Sequence, residues 1–346
     1  MSRRAILLAV LVSIFLVTPI ISGFNTTPTS EYTTSSWPGG LVIDHTCIDL
    51  DAIPSQYIDA AQNAVKIHYA HTSHGGQITT GLARLKAANT TFDVSIASLS
   101  LPSDSGALCM YDGNSPHTYI TPDLYWQGES ARSITQAVID DNPAFTVSLW
   151  SWCTQVDGID TAGVQEYLDA MAMLESANPS ITFVYMTGNA QATDESGYNR
   201  WVNNEMIRQY CIENDKILFD FADLDAWSNG VQHTYSYNPG DGTVQVPAEH
   251  PDFYGDEAGH TTYTSCEQKG SAFWWMVSML AGWNNPTTTT SATTSTSTSA
   301  TGTTSSTGTT SNGSILNLLD TTILFYVGVI TIVLVIGYIA KRRVSG

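Results

Sequence analysis

Basic residues are scarce in this chain. Thirteen lysines and arginines stand against 32 aspartates and glutamates, which gives a formal net charge of −19. Nucleic acids and anionic membrane surfaces attract basic patches, and the one basic cluster lies in the last six residues. The composition therefore argues against nucleic acid or an anionic bilayer surface as a partner, and it is typical of a domain kept soluble outside the cell.

Cysteine is also infrequent, and no two cysteines are spaced as Cys-x-x-Cys. The absence of that pair argues against a structural zinc site. In an oxidising compartment, five cysteines allow two disulfides with one thiol left over, and the spacing leaves the pairing open. The five are Cys47, Cys109, Cys153, Cys211 and Cys266.

The N-terminal end lacks the mixed composition of a globular domain. Residues 1–24 carry two arginines near their start, at positions 3 and 4, and continue in an apolar run from Ala5 to Ile21, which the small residues Ser22 and Gly23 follow. This layout predicts a secretory signal peptide, which would be removed from an exported chain. Residues 25–36 are predicted to be a short linker. Three Asn-x-Ser/Thr sequons fit an exported glycoprotein, at Asn25, Asn89 and Asn312.

The C-terminal end predicts a membrane anchor. Residues 315–340 contain an uncharged apolar run just long enough to span a bilayer, and residues 341–346 follow with three adjacent basic side chains. Basic residues stay in the cytoplasm, so we expect a single-pass cell-membrane protein with an extracellular domain and a short cytoplasmic tail. Residues 286–314 are rich in Thr and Ser and predict an O-glycosylated stalk.

Residues 37–285 remain for one globular domain, in which strand and helix patterns alternate. Runs such as residues 181–186 are apolar enough for burial on both faces, which is typical of a parallel sheet. The predicted fold class is therefore α/β, with a parallel sheet between two helical layers, and residues 101–132 are expected to form an insertion. The predicted strands are 65–69, 92–99, 145–153, 181–186 and 216–222, and the predicted helices are 77–88, 133–140, 162–177, 198–213 and 270–281.

The turn after the first of these strands carries the first candidate nucleophile. The sequence His71-Thr72-Ser73-His74-Gly75 separates an alternating strand from a helical pattern. A serine in such a turn is lifted out of the sheet, beside a helix N-terminus that favours negative charge. Ser73 is therefore a candidate nucleophile, and the alternative is that it caps the helix.

Other polar residues gather where reactive groups of parallel sheets are found, at the carboxyl ends of the strands. Asn189 follows one strand, and His260 comes shortly before the last helix, preceded by Asp256 and Glu257. Together with Ser73 these are the parts of acyl transfer. His260 would be the base, Asp256 or Glu257 the carboxylate that orients it, and Asn189 a donor to the oxyanion. His250 is a rival base.

In this order the motifs resemble those of the SGNH hydrolases, relatives of the GDSL esterases. The block containing Ser73 takes the place of Gly-Asp-Ser, Trp150 to Cys153 that of the glycine block, and Thr187-Gly188-Asn189 that of the asparagine block. The segment from Cys266 to Met276 is similar to a poorly characterised branch of these proteins. The resemblance implies a flavodoxin-like three-layer fold, an ester-hydrolysing activity that uses no cofactor or metal, and an oxyanion hole formed by Ser73, Gly75, Asn189 and Cys153.

The sequence also departs from that family. Gly-Asp-Ser is absent, no glycine directly follows Cys153, and the carboxylate three residues before His260 is a glutamate. The first hypothesis is nevertheless a cell-surface serine esterase acting on a small-molecule or polysaccharide ester, such as a carbohydrate O-deacetylase. Candidates for substrate binding are His71, His74, Gln155 and Gln191.

Two alternatives stay open. One is an inactive binding or adhesion domain on the same fold. The other is a metal-dependent hydrolase that uses His68, His71 and His74, which are spaced three residues apart. Side chains at positions 68 and 71 of one strand point to opposite faces, so joint ligation would require the turn to reorient them.

Overall fold

The computed structural model of the protein describes residues 40–284. The predicted signal peptide, linker, stalk, transmembrane helix and tail all lie outside this range. Within it, no helix is both long enough and apolar enough to cross a membrane.

A seven-stranded parallel sheet forms the centre of the fold. Its strands are β1 (Leu41–Ile43), β2 (Lys66–His71), β3 (Val94–Ser98), β4 (Leu108–Asp112), β5 (Val147–Ser151), β6 (Thr182–Met186) and β7 (Ile217–Phe219). They lie side by side in the order β1-β7-β6-β5-β2-β4-β3. Every side chain of β5 is buried, as expected of a strand that is covered on both faces.

Helices cover both faces of this sheet, which confirms the α/β class and the layered arrangement. The helices are α1 (Ser55–Ala64), α2 (Gly76–Ala88), α3 (Gly128–Asp141), α4 (Gln155–Gly158), α5 (Thr161–Ala177), α6 (Asp194–Glu213), α7 (Phe221–Ala226) and α8 (Tyr263–Leu280). On one side α1 and α2 pack against α8, and on the other α5 packs against α3 and α6. Helix α5 buries Val164, Leu168 and Met171, which share one face because they are spaced four and three residues apart.

Short elements complete the described residues. Two antiparallel strand pairs precede α8 and lie outside the main sheet. They are β8 (Trp227–Ser228) with β9 (Val231–Gln232), and β10 (Thr234–Tyr237) with β11 (Val244–Pro247). The 3₁₀ helices are Leu50–Ala52, Thr90–Phe92, Pro122–Leu124 and Pro251–Phe253.

Two glycines allow α2 and α8 to touch through their backbones. A Cβ built on Gly81 would lie 1.9 Å from the carbonyl oxygen of Cys266, and one on Gly270 would lie 2.7 Å from the carbonyl carbon of Gly81. Any side chain at Gly81 would therefore push the two helices apart. This contact joins the helix that follows the Ser73 turn to the helix that follows His260.

The order of the strands places a crevice next to β2. Strand β2 lies between β4 and β5, so the chain departs to one side of β2 and later returns on the other. In open α/β sheets, ligands bind outside the carboxyl ends of the strands at such a switch point. The turn 72–75 follows β2 and residues 152–154 follow β5, so both segments lie at this crevice.

Four points of the sequence prediction require correction. Residues 101–132 are not simply an insertion, because they contain strand β4, which pairs with β2 and β3. The last helix begins at Tyr263, seven residues before the predicted start, and β1 and α1 were not predicted. All five cysteines lie within the described residues, and all are buried free thiols rather than members of disulfides.

Candidate active site

Cys153 and His74 form a short polar contact at the switch point. Nδ1 of His74 lies 2.8 Å from Sγ of Cys153. Strands β2 and β5 pair in parallel with His71 opposite Ser151, and this register brings the residues that follow each strand together. Both side chains are shielded from solvent, because Cys153 is 6% exposed and His74 is 2% exposed.

This contact favours an ion pair. Burial by itself would raise the pKa of the Cys153 thiol, but the hydrogen bond and charge of His74, with help from the Ser73 and Thr72 hydroxyls, lower that pKa from 9.0 to about 5. Burial by itself would lower the pKa of the His74 imidazole. The hydrogen bond to Cys153, the negative charge of Cys153 and the hydrogen bond to Gln191 outweigh burial, so the pKa of His74 is raised. Both pKa shifts favour the thiolate–imidazolium form of the pair over the neutral form.

The second ring nitrogen of His74 is held by Gln191. Nε2 of His74 lies 2.7 Å from the amide oxygen of Gln191. The amide nitrogen of Gln191 donates to Oε1 of Glu249 at 3.1 Å and to the backbone carbonyl of His260. Because its nitrogen already has two acceptors, the Gln191 oxygen faces the imidazole. The row of thiol, imidazole and amide matches a Cys-His-Asn arrangement, with glutamine in place of asparagine.

Buried charges support the loop that carries Gln191. One oxygen of Asp225 accepts a hydrogen bond from the backbone N–H of Ala190 at 2.8 Å, and the other lies 2.6 Å from Nζ of Lys269. Arg200 donates to the carbonyl oxygen of Asn189 at 3.2 Å. Asp225, Lys269 and Arg200 are almost completely buried, so the loop is anchored from beneath by groups that solvent does not reach.

Ser73 contacts the thiol rather than a base. Its Oγ lies 3.3 Å from Sγ of Cys153, and within residues 40–284 no hydrogen bond joins Ser73 to His260. Gly75, not Ser73, is the N-cap residue of α2. The backbone N–H groups of Ser73, His74 and Gly75 have no acceptor among the described residues. They directly precede Gly76, the first residue of α2, and as unpaired donors at this end of the helix they favour a negatively charged atom nearby.

His260 lies at the rim of this cluster. Gly259 and His260 have φ angles of 57° and 68°, and they form a tight turn between Ala258 and Thr261. A positive φ strains a residue that is not glycine, and such strain concentrates at functional sites. The ring of His260 is 5.1 Å from the ring of His74, centroid to centroid, and 54% of its side chain is exposed.

The two carboxylates before His260 have different surroundings. Oδ1 of Asp256 lies 3.6 Å from Nδ1 of His260, and the Asp256 side chain is 85% exposed. Glu257 instead accepts a hydrogen bond from the backbone N–H of Tyr263, at the first turn of α8. The structure thus places Asp256, not Glu257, beside the imidazole of His260. His250 lies near Asp252, with 3.4 Å between Nδ1 and Oδ2.

Asn189 and Gln155 hold the backbone around Cys153. The Asn189 amide donates to the carbonyl oxygen of Cys153 at 3.1 Å and accepts from the backbone N–H of Gln191. The side-chain oxygen of Gln155 accepts the backbone N–H of Cys153 at 2.8 Å. Both side chains therefore fix the position of the thiol, and the N–H of Cys153 already has an acceptor.

The other two histidines of the three-residue spacing have separate partners. Nε2 of His71 lies 3.1 Å from Asp112, and its Nδ1 contacts the carbonyl oxygen of Thr72. His68 is completely buried, stacks on Phe145 and has its pKa lowered to about 4 by burial. In the part of the chain that the structure describes, His68, His71 and His74 do not converge on one point.

The sequence matches no known family model and no curated protein. The site must therefore be judged by its own geometry. The sequence predicts Cys153, His74 and Gln191 at the site in supporting roles, and it does not predict Glu249, Lys269 or Arg200 there. The available signal was that Cys153 and His74 each follow a strand, although the pairing of those strands was unknown.

Proposed function

We propose that this chain is an acyl hydrolase whose nucleophile is Cys153 Sγ, with His74 as its proton-transfer partner. The observation that carries the proposal is the 2.8 Å contact between His74 Nδ1 and Cys153 Sγ. A thiolate attacks acyl carbons far better than a thiol, and a neighbouring imidazolium is a usual way of stabilising it. The surface anchor and stalk predicted by the sequence would present this activity outside the cell.

The reaction with an ester follows from the placement of these groups. Sγ attacks the carbonyl carbon, and the carbonyl oxygen becomes an oxyanion near the N–H groups of Ser73, His74 and Gly75. The bond to the leaving alcohol breaks as His74 Nδ1 gives it a proton, which leaves an acyl thioester on Cys153. Water then attacks the thioester while His74 accepts a proton, and the acid departs as the thiolate re-forms.

Gln191 contributes to both half-reactions. Its carbonyl oxygen accepts from His74 Nε2, so that Nδ1 always faces the sulfur. It also stabilises the ring while the ring is positively charged. This is the role of the third residue in a triad, which orients the imidazole without taking its proton.

We also propose that the fold is flavodoxin-like, of the type found in SGNH hydrolases. The strands β4, β2, β5, β6 and β7 stand in the order 2-1-3-4-5 when they are renumbered along the chain, which is the flavodoxin-like order. Strands β3 and β1 extend its two edges. This order supports an SGNH-like hydrolase, and it agrees with the order of the sequence motifs.

A serine esterase is the second candidate. The observation that favours it is the position of Ser73 Oγ, which is 3.3 Å from Sγ at the same crevice. In that mechanism His260, paired with Asp256, would have to turn towards Ser73 and take its proton. The two candidates use the same crevice and the same esters, but they predict acylation of different atoms.

Hydrolysis of p-nitrophenyl acetate by the full chain tests the proposal. We expect Cys153→Ala to reduce turnover to background and Ser73→Ala to retain it within about tenfold, because Ser73 contributes one hydrogen bond to the thiolate. Cys109→Ala is the matched control, since Cys109 is another buried thiol on β4. Loss of turnover in Ser73→Ala with retention in Cys153→Ala would establish the serine mechanism instead.

A further inference from the structure

A second cluster of polar side chains lies at another edge of the sheet. Asp44 and His45 directly follow β1, and Asp223 lies in α7, which follows the adjacent strand β7. One ligand atom from each of the three residues lies within 4.8 Å of the others. Asp223 Oδ2 accepts from the backbone N–H of His45 at 2.8 Å and is 2.5 Å from its ring Nδ1.

Asp44 has an oxygen that the protein leaves without a partner. The side chain is completely buried, and its Oδ1 accepts from the backbone N–H and hydroxyl of Thr46. Its Oδ2 is buried and has no hydrogen-bond partner among the described residues. An unpaired buried carboxylate oxygen is strongly unfavourable unless a proton or a cation neutralises it.

The positive charge of Arg208, which lies close to this cluster, is already paired with another carboxylate. The guanidinium of Arg208 forms two hydrogen bonds with Asp220, at 2.6 Å and 2.7 Å. Asp220 itself accepts the backbone N–H of Asp223. The carboxylates of Asp44 and Asp223 are both buried, and an oxygen of each lies within 4.8 Å of a ring nitrogen of His45, which would be the nitrogen ligand.

We propose that Asp44, His45 and Asp223 form a binding site for one divalent transition-metal cation, with Zn²⁺ or Mn²⁺ as the expected ion. Two carboxylates and one imidazole suit these ions, whereas Ca²⁺ takes six to eight oxygen ligands and Mg²⁺ requires a nearly ideal octahedron of oxygens. The ring of His45 stacks on Trp227, with centroids 4.0 Å apart and planes 6° apart, so its orientation is fixed before an ion arrives.

The site connects two parts of the fold. An ion there would tie the end of β1 to α7, and α7 also carries Asp225, which binds the backbone N–H of Ala190 in the Gln191 loop. We therefore assign the ion a structural role. The proposed ion site shares no residue with the Cys153–His74 pair, and the ion would bind whether or not that pair hydrolyses esters.

Metal titration of the full chain tests this site. The chain is treated with a chelator and studied in a Cys153→Ser background, so that the thiolate cannot hold the added ion. We expect one equivalent of Zn²⁺ or Mn²⁺ to bind by calorimetry, and Tm to rise by about 5–11 °C at a hundredfold excess over Kd. Asp44→Asn, which keeps an oxygen for Thr46, should weaken binding by at least about tenfold, as should His45→Gln.

Asp241→Asn is the matched control, because Asp241 is an exposed carboxylate elsewhere on the surface. It should bind the ion as the background protein does. Far-ultraviolet circular dichroism verifies that each variant is folded, and two variants of different residues guard against the misfolding of one. The proposal is overturned if neither ion binds at millimolar concentration, or if a folded Asp44→Asn or His45→Gln variant binds as tightly as the control.

Discussion

Replacing His74 by glutamine should raise the pKa of the Cys153 thiol across most of the pH range in which the protein can be studied. In the wild type the imidazole overcomes the effect of burial and holds the pKa of the thiol at about 5. Glutamine carries no charge, so in the variant burial would leave the pKa at or above its ordinary value of 9.0. At pH 7 the thiolate fraction should fall from nearly complete to about 1% or less.

A rate of Cys153 alkylation measured at a single pH would not reveal this change in the thiol pKa. A more basic thiolate is intrinsically more nucleophilic, with a Brønsted slope of about 0.4–0.5, so the variant's remaining thiolate should react about 40- to 100-fold faster. At pH 7 this gain nearly cancels the smaller thiolate fraction. The quantity to measure is therefore the pH at which the alkylation rate reaches half of its maximum.

The assay follows alkylation of Cys153 by iodoacetamide between pH 4 and pH 10, with the modified peptide identified by mass spectrometry. We expect a midpoint near pH 5 for the wild type and at or above pH 9 for His74→Gln. Cys153→Ser corrects for the other four thiols, which are also buried. A wild-type midpoint near 9, or the same midpoint in both proteins, would refute the ion pair.

Three further predictions concern the support of the site. Gly81→Ala should lower the free energy of unfolding in urea by about 1–3 kcal/mol, because the new Cβ would overlap the carbonyl oxygen of Cys266. Gly158→Ala is the control, since a Cβ at that position has no atom within 4 Å. Gln191→Ala should lower kcat/KM for p-nitrophenyl acetate about 10- to 100-fold, since the imidazolium loses a hydrogen bond, and an unchanged value would contradict its role. Burial and the charge of Asp225 raise the pKa of Glu249 from 4.5 to about 7, so the folded chain holds this proton more tightly than the unfolded chain, and the Tm of the wild type should fall relative to that of Glu249→Gln as the pH rises from about 4.5 to about 7.

Much of the fold followed from hydrophobic pattern. The apolar run at residues 181–186 marked β6 because a strand buried on both faces leaves a continuous signal. Strand β4 was missed because its run of five residues lies in a segment rich in glycine, serine and aspartate, where the local pattern indicates loop. The pairing of β4 with β2 and β3 is a tertiary contact, and sequence periodicity does not reveal tertiary contacts.

The location of the site was predictable, but the role of each residue was not. The turn containing Ser73 and His74 was recognised because a strand, a polar turn and a helical pattern follow one another. Both side chains contact Cys153, and how closely each approaches the sulfur depends on rotamers and on the pairing of β2 with β5. Similarly, only the fold brings Gln191 rather than a carboxylate to His74 Nε2.

Trapping the acyl-enzyme tests the central claim most directly. The full chain is mixed with a slowly hydrolysed p-nitrophenyl ester, quenched in acid within the first turnover and digested for mass spectrometry, with Cys153→Ser treated in parallel. The account predicts that the acyl group is on the peptide containing Cys153, as a thioester that hydroxylamine removes readily, and that the Cys153→Ser sample lacks this thioester. An acyl group on Ser73 in the wild type, with Cys153 unmodified, would contradict it.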